Sequence, residues 1–217
     1  MNKHKKQITR MINTQLMARG ISDERVLDAM ATVPRHLFVD EGLQGQAYSD
    51  SPLPIGLRQT ISQPYIVALM TEALELKGTE TVLELGTGCG YQTAILAQLA
   101  ERVFSIERIA SLASKAQRIL DSLHYYNILI RVGDGTYGWS EEAPFDAIIA
   151  TAGSPKIPET LMGQLAVGGK LVIPVGDRNA QTLLRVTRLS EDPDDFTTEN
   201  LCECRFVALI GEHGWKD

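Results

Sequence analysis

The sequence predicts an α/β fold: a mostly parallel central sheet with helices on both faces, behind an N-terminal helical cap. Three observations predict it. Between Thr81 and Val175 short apolar runs alternate with segments of helical periodicity. The runs are apolar along most of their length, as strands buried on both faces are. The first of them feeds a helix through a glycine-rich turn. At 217 residues and 44% hydrophobic content, the chain is long enough to bury a large core and fits one domain better than two. Residues 1–76 are expected to supply N-terminal helices and a substrate loop, and 77–217 the α/β core with C-terminal strands.

In the cap, Ile8, Met11, Ile12, Leu16 and Met17 recur at helical spacing, and Gly20 is placed to end that helix. Ser22 can cap a second helix, which carries Val26, Leu27 and Met30 inward to about Ala31 and is stopped by Pro34. The segment 47–62 holds Pro52, Pro54 and Gly56 without periodicity and is expected to be a loop, long enough to be functional. A helix follows from Gln63 to about Leu76, with Pro64 tolerated in its first turn. In the core, a strand from Val82 to Leu85 leads to a helix from Tyr91 to about Ala100, whose Ile95, Leu96 and Leu99 suit one face on a sheet. Then come a strand at Val103–Ile106, a helix over Ile109–Leu123 and a third strand at Ile128–Ile130. Phe145–Ala150 (strand), Pro158–Leu165 (helix) and Lys170–Val175 (strand) continue the alternation. The tail, 181–188 and 201–209, reads as two strands joined across the acidic loop 191–195. No internal repeat is present.

The chemistry concentrates at strand ends. Gly86, Gly88 and Gly90 let the backbone turn tightly and approach a ligand where a Cβ would collide. Glu107 ends the next strand about 20 residues on, where a βαβ crossover sets a carboxylate beside a ribose and its two hydroxyls. The dinucleotide fingerprint has its third glycine three positions after the second; here it follows at two, which weakens a pyrophosphate site. Asp134, between Gly133 and Gly135, falls in a turn after the third strand. It can accept from an adenine amino group or serve as an Asx-turn acid. Glu84 is a carboxylate on an otherwise apolar strand and needs a partner, either a cofactor amine with the turn amides or a structural network.

Composition excludes several classes. The formal charge of -6 argues against a nucleic-acid substrate, because gripping phosphates needs a basic surface. The basic stretch Lys3–Lys6 with Arg10 reads as a solvated helix face. Without a signal peptide or a run of about 18 apolar residues, the chain is expected in the cytoplasm and away from membranes. Cys89, Cys202 and Cys204 have neither disulfide nor zinc spacing, and the four histidines have no ligand spacing, so no metal is expected.

The stretch Leu53-Pro54-Ile55-Gly56, then Gln59-Thr60-Ile61-Ser62-Gln63-Pro64-Tyr65 and Leu83-Glu84-Leu85-Gly86-Thr87-Gly88-Cys89-Gly90-Tyr91-Gln92-Thr93, resembles the protein-L-isoaspartate O-methyltransferase family. The resemblance continues through Gly133-Asp134-Gly135, residues 143–148, residues 171–176 and Arg205-Phe206-Val207, and so covers nearly the whole chain. The block from Pro54 to Pro64 is the most specific part. Two departures stand out: Leu57-Arg58 replaces a glycine-containing pair, and Ala208 replaces a proline. The resemblance implies a Rossmann-like S-adenosylmethionine-dependent methyltransferase fold. It implies transfer of a methyl group from S-adenosyl-L-methionine to the free α-carboxyl of L-isoaspartyl residues in damaged proteins and peptides, initiating repair and leaving S-adenosyl-L-homocysteine.

Within that frame, Ser62 is the candidate catalytic residue, a neutral hydroxyl that orients the acceptor carboxylate; local sequence alone makes it an N-cap of the following helix. Both roles can coexist on one hydroxyl. The cofactor would be held by Thr60, Ile61, Glu84, Gly86, Gly88, Gly90, Glu107, Asp134 and Gly135. Pro54, Ile55, Gly56 and Arg205 would contact substrate. Three alternatives remain open on this sequence: a small-molecule methyltransferase of the same fold, a nicotinamide oxidoreductase, and a cofactor-binding sensor without turnover.

Overall fold

The computed structural model describes residues 3–216. The cap begins with α1 (Lys3–Arg10), which continues as a π-helical turn (Met11–Leu16) and a 3-10 turn (Met17–Arg19), and Gly20 closes it at φ 96°. The second helix, α2 (Glu24–Thr32), is capped by Asp23, not Ser22. The Asp23 carboxylate accepts from the amides of Arg25 and Val26 at 2.8 and 3.3 Å, while the Ser22 and Asp23 amides both donate to Glu72 Oε1 at 2.7 Å.

The expected loop at 47–62 contains a β-hairpin, β1 (Leu53–Gly56) against β2 (Gln59–Ile61), after 3-10 turns at Arg35–Phe38 and Glu41–Gln46. Its two-residue turn needs φ > 0 at both positions. Leu57 and Arg58 adopt 52° and 60° without the Asn or Gly that usually signals such a turn, which is why the strands are hidden in the sequence. The helix α3 (Pro64–Ala73) starts with Pro64 at its first position and ends earlier than its pattern suggests.

The core then runs β3 (Thr81–Leu85), α4 (Tyr91–Leu99), β4 (Arg102–Glu107), α5 (Ala110–Ser122), β5 (Ile128–Val132), β6 (Phe145–Ala150), α6 (Glu159–Met162), β7 (Leu165–Gly176), β8 (Gln181–Arg188) and β9 (Phe196–Cys204). The helix expected at 158–165 is a single turn, because Leu165 already pairs with Phe145 and extends β7 backward. The last strand covers 196–204, so Arg205 lies just past its end.

These strands form one seven-stranded sheet in the order β5-β4-β3-β6-β7-β8-β9, parallel from β5 to β7 and antiparallel beyond. The chain leaves β3 toward β4 and β5, then returns to β6 on its other side, so strand order reverses at β3 and a crevice opens at the carboxyl end there. Alternate β3 residues go to opposite faces. Val82 joins the cluster containing Met30, Val67, Ile95 and Leu120, and Leu83 and Leu85 join Phe104, Trp139, Phe145 and Leu161. Helices occupy both faces, but unevenly. The crossovers through α4 and α5 run in one direction and, being right-handed, pack on one face with the cap; the other face is covered by α6 and short turns.

Candidate active site

A cavity of about 300 Å³ opens at the switch point, lined by Gly86 after β3, Glu107 and Arg108 at the end of β4, Gly135 after β5, Thr151 after β6, and Thr60 from the hairpin. Gly86 sits at φ 95°, and a Cβ there would lie 2.5 Å from Thr151 Oγ1. That hydroxyl donates to the carbonyls of Leu85 and Gly86 at 3.0 and 2.7 Å, closing the turn against β6. Gly88 turns at φ 55° with Ile55 Cδ1 packed over it. The Glu107 carboxylate is held by the amides of Gly88 (2.8 Å) and Ile109 (2.9 Å), one per oxygen, leaving acceptor capacity on each oxygen for a ribose hydroxyl. A turn in which Gly86 has no room for a Cβ and Gly88 takes a positive φ, with a fixed acid at the wall, fits a nucleoside.

Four of the expected cofactor residues stand apart from this lining: Gly90, Asp134, Glu84 and, on the hairpin, Ile61. Gly90 faces α5, where a Cβ would come within 3.2 Å of Ala116, so its φ of 90° serves helix packing. Asp134 takes its Asx-turn role: Oδ1 accepts from the amide and hydroxyl of Thr136, and Oδ2 from the amide of Glu212 at 2.7 Å, tying down the C-terminal segment. Burial pushes the Asp134 carboxyl up, but these hydrogen bonds outweigh it and hold the group below the usual carboxylate range. Glu84 is fully buried beneath the turn. Its Oε2 accepts from Thr93 and Ser105 at 2.6 Å, Ser105 in turn meets Thr87 at 2.6 Å, and Oε1 has no partner. Burial raises its pKa to about 7 against the pull of the two hydroxyls, with the Glu107 charge adding to the rise.

A second cavity, about 410 Å³, lies between the hairpin, α3 and the end of β9, lined by Arg19, Thr60, Ser62, Tyr65, Thr151, Cys202 and Arg205 among others. Thr60 and Thr151 wall both cavities, and both also line a narrow space of about 40 Å³ with Ile61, Ser62, Gly86 and Gly88. Ser62 is half-buried and is not an N-cap: Gln63 takes that position, and the Ser62 hydroxyl has no partner among the described residues. Its carbonyl accepts from Arg35 at 2.7 Å. Ile61 is buried with the hairpin's inner face, as is Ile55; Pro54 and Gly56 point to solvent and line neither cavity. Arg205 is exposed at the rim of the second cavity. Arg19, also in that lining, stacks 3.4 Å over the Tyr65 ring and pairs with Asp50 at 3.1 Å.

Sequence reasoning missed Thr151, Arg35, Arg19, Tyr65 and the segment Val207–Ile210. Thr151 carried a signal: a polar residue directly after a strand as apolar as β6 is the counterpart of Gly86 after β3. Val207–Ile210 carried none, being placed by backbone bonds to Gly153 at 2.7 and 2.8 Å. Among the described residues no group of three or more His, Cys, Asp or Glu is arranged to hold a metal, and no helix is long and apolar enough to cross a membrane.

A parallel sheet with its nucleoside-sized cavity at the switch point, walled by a glycine turn and an acid, places the chain among the Rossmann-like S-adenosylmethionine-dependent methyltransferases. Solved relatives agree over nearly the whole chain. A protein-L-isoaspartate O-methyltransferase superposes with a TM-score of 0.85 at 28% identity, over 95% of this chain and 67% of that one. The Plasmodium falciparum protein of that name, solved in complex with S-adenosyl-L-homocysteine, superposes with a TM-score of 0.80 at 26% identity, over 97% and 99%. The chain belongs to the family described as protein-L-isoaspartate(D-aspartate) O-methyltransferase, whose model matches residues 5–214. In sequence it is 65% identical to the protein-L-isoaspartate O-methyltransferase of Syntrophus aciditrophicus (strain SB), over 100% of this chain and 99% of that protein. It is 62% identical to protein-L-isoaspartate O-methyltransferase 1 of Syntrophobacter fumaroxidans, over 95% of each.

Proposed function

We propose that the two cavities sharing Thr60 and Thr151 are the donor and acceptor halves of one methyl-transfer site. The chain transfers the methyl group of S-adenosyl-L-methionine to the free α-carboxyl of L-isoaspartyl residues in damaged proteins and peptides, and Ser62 orients that carboxylate. The observation that carries this arrangement is the shared wall: an acceptor seated beside Ser62 is separated from the glycine-turn cavity by Thr60, Thr151 and Val207, which line both. Because Thr60 comes from the N-terminal part and Thr151 from the core, the whole chain works as one methyltransferase domain. It acts in the cytoplasm, on proteins and peptides and not on nucleic acid, in keeping with its net charge of -6.

Glu107 would hold the ribose hydroxyls, Gly86 and Gly88 would admit the nucleoside against the backbone, and Gly135, Thr60 and Ile61 would close the cavity around it. When bound, S-adenosyl-L-methionine supplies a methyl group on a sulfonium with a good leaving group. The acceptor carboxylate is ionised at neutral pH, so no general base is needed. The chain's part is to align and to exclude water, which in favourable intramolecular cases supplies roughly 7–11 kcal/mol. A cation on the attacking oxygen would hold the ground state better than the transition state, since that oxygen loses charge as the bond forms. The unpartnered hydroxyl of Ser62 avoids this while still fixing direction. Arg205, at the groove rim, is placed to attract the peptide without touching the reacting oxygen.

The test is incubation with methyl-labelled cofactor and two peptides that differ only in an isoaspartyl or aspartyl linkage. Label is expected on the first alone. Ser62→Ala is expected to slow transfer about tenfold, the equivalent of about 1.4 kcal/mol for one oriented hydrogen bond, with cofactor affinity retained. Equal labelling of both peptides would sink the substrate assignment, and undiminished transfer by the variant would reduce Ser62 to a loop residue.

A further inference from the structure

Arg35 is fully buried, and among the described residues it pairs with no carboxylate. Its Nε donates to the Ala47 carbonyl at 2.6 Å and one terminal nitrogen to the Ser62 carbonyl at 2.7 Å; the guanidinium carbon lies 4.7 Å from the centroid of the Tyr91 ring, and the other terminal nitrogen is unpartnered. Stability alone is a poor reason for a cation here, because an apolar side chain would fill the space without desolvating a charge. The two carbonyls it grips are far from arbitrary. Ala47 begins and Ser62 ends the segment that carries the β1–β2 hairpin, so one side chain spans the base of the whole substrate loop. Charge-assisted bonds to both ends are stronger and more directional than neutral ones, and a planar fork reaches two carbonyls where an ammonium on a flexible stem reaches one.

We propose that Arg35 is a positioning residue for methyl transfer: by clamping the Ala47 and Ser62 carbonyls it fixes the hairpin's base and thereby aims the Ser62 hydroxyl at the acceptor carboxylate. The cation acts from behind the backbone, so it orders the acceptor site without lying on the attacking oxygen. This inference rests on the acceptor role of Ser62 given above.

A double-mutant cycle of Arg35→Lys and Ser62→Ala tests it, reading kcat and KM on the isoaspartyl peptide, cofactor Kd and Tm. Arg35→Lys alone is expected to lower kcat on the order of tenfold, since small misplacements of a reacting group cost that much or more, with cofactor Kd held within about twofold because Gly86, Gly88 and Glu107 stay fixed by the core and only Thr60 and Ile61 of the cofactor residues ride on the hairpin. In the Ser62→Ala background the same change is expected to cost less than about twofold, because the hydroxyl it aims is already gone. A merely structural Arg35 predicts the opposite: multiplicative losses in kcat, and cofactor Kd weakening along with Tm. Either pattern overturns the inference. If Ser62→Ala alone leaves kcat untouched, the reading of Ser62 fails first, and that result is distinct from additivity in the cycle. Should Arg35→Lys not fold, Arg35→Gln, which buries no charge, runs the same cycle. Failure of both to fold assigns Arg35 to chain stability and overturns its positioning role.

Discussion

The cavity proposed for the donor and the groove proposed for the acceptor share a wall but are made of different material. The donor side is backbone: glycines at Gly86 and Gly88, amides holding Glu107, and strand ends tied by bonds such as Gly86 N to Ile106 O at 2.8 Å and Thr151 N to Leu85 O at 2.9 Å. The acceptor side is side chains on a hairpin, a helix start and a strand end, held by Arg35, by the Arg19–Tyr65 stack and by the inward faces of Ile55 and Ile61. A backbone-built cavity admits one ligand shape and tolerates little change. A groove of side chains suits an enzyme that must accept isoaspartyl linkages in unlike sequences, since a peptide laid along it is gripped mainly through its backbone and its misplaced carboxylate.

The sharpest way to break this contrast is at Gly86. Gly86→Ala would put a methyl group 2.5 Å from Thr151 Oγ1 on a residue at φ 95°. Strain of about 2–3 kcal/mol at the turn is expected to cost on the order of 100-fold in cofactor affinity, measured by calorimetric titration with S-adenosyl-L-homocysteine. Gly90→Ala supplies the comparison. Its added carbon would meet Ala116 and Leu120 and no part of the cavity lining, so it is expected to lower Tm while the surviving folded protein keeps its affinity. Equal affinity losses in the two variants would mean that the glycine turn acts as one rigid unit.

The same contrast explains what could be read in the sequence. The donor side was legible because its parts are local: a strand, a glycine turn, a helix and an acid at fixed spacing form one βαβ unit. The acceptor side was legible only by resemblance. Leu57 and Arg58 gave no turn signal, so β1 and β2 were hidden. Arg35 acts on carbonyls 12 and 27 residues away, a reach no local pattern reports. Competition among similar groups sets the finer local contacts. Asp23 took the cap expected of Ser22 once the Ser22 amide turned to Glu72, and Asp134 spent its oxygens on Thr136 and the chain end. Glu84 found its partners in two hydroxyls, in place of an amine, because Thr93 and Ser105 converge on it from α4 and β4.

Glu84 gives the donor side a pH signature that the acceptor side lacks. Folded, it holds its proton up to about pH 7; unfolded, it loses it near the ordinary carboxylate value. Between these values the folded state binds more protons, so stability falls as pH rises through the window and levels off above it. The contribution is roughly 3 kcal/mol across the window, and it opposes the trend set by carboxylates such as Asp134, whose lowered pKa costs stability only in more acid solution. Glu84→Gln keeps an acceptor for Thr93 and Ser105 and removes the titration. Thermal melts from pH 5 to 8 are expected to show a decline in the parent chain that is absent from the variant. A parallel decline in both would place the titrating group elsewhere.

The smallest effect lies where the two regions touch. Arg58 sits at the hairpin tip with φ 60°, a conformation that costs a residue with a Cβ about 1 kcal/mol, and its side chain lines the donor cavity. Strain kept at a site's edge is either unrepaired or offset by a contact with ligand, and Arg58→Gly separates these. If the arginine contributes only strain, the variant is expected to melt about 2–4 °C higher, with cofactor affinity and peptide KM unchanged. If it also steadies the cofactor, Tm rises but affinity falls, and the hairpin then belongs to the donor side as much as to the acceptor side. Thr60, two residues further along in β2 and walling both cavities, gives the second outcome its physical basis. The unmutated chain then carries its costly turn for the sake of the neighbouring cavity.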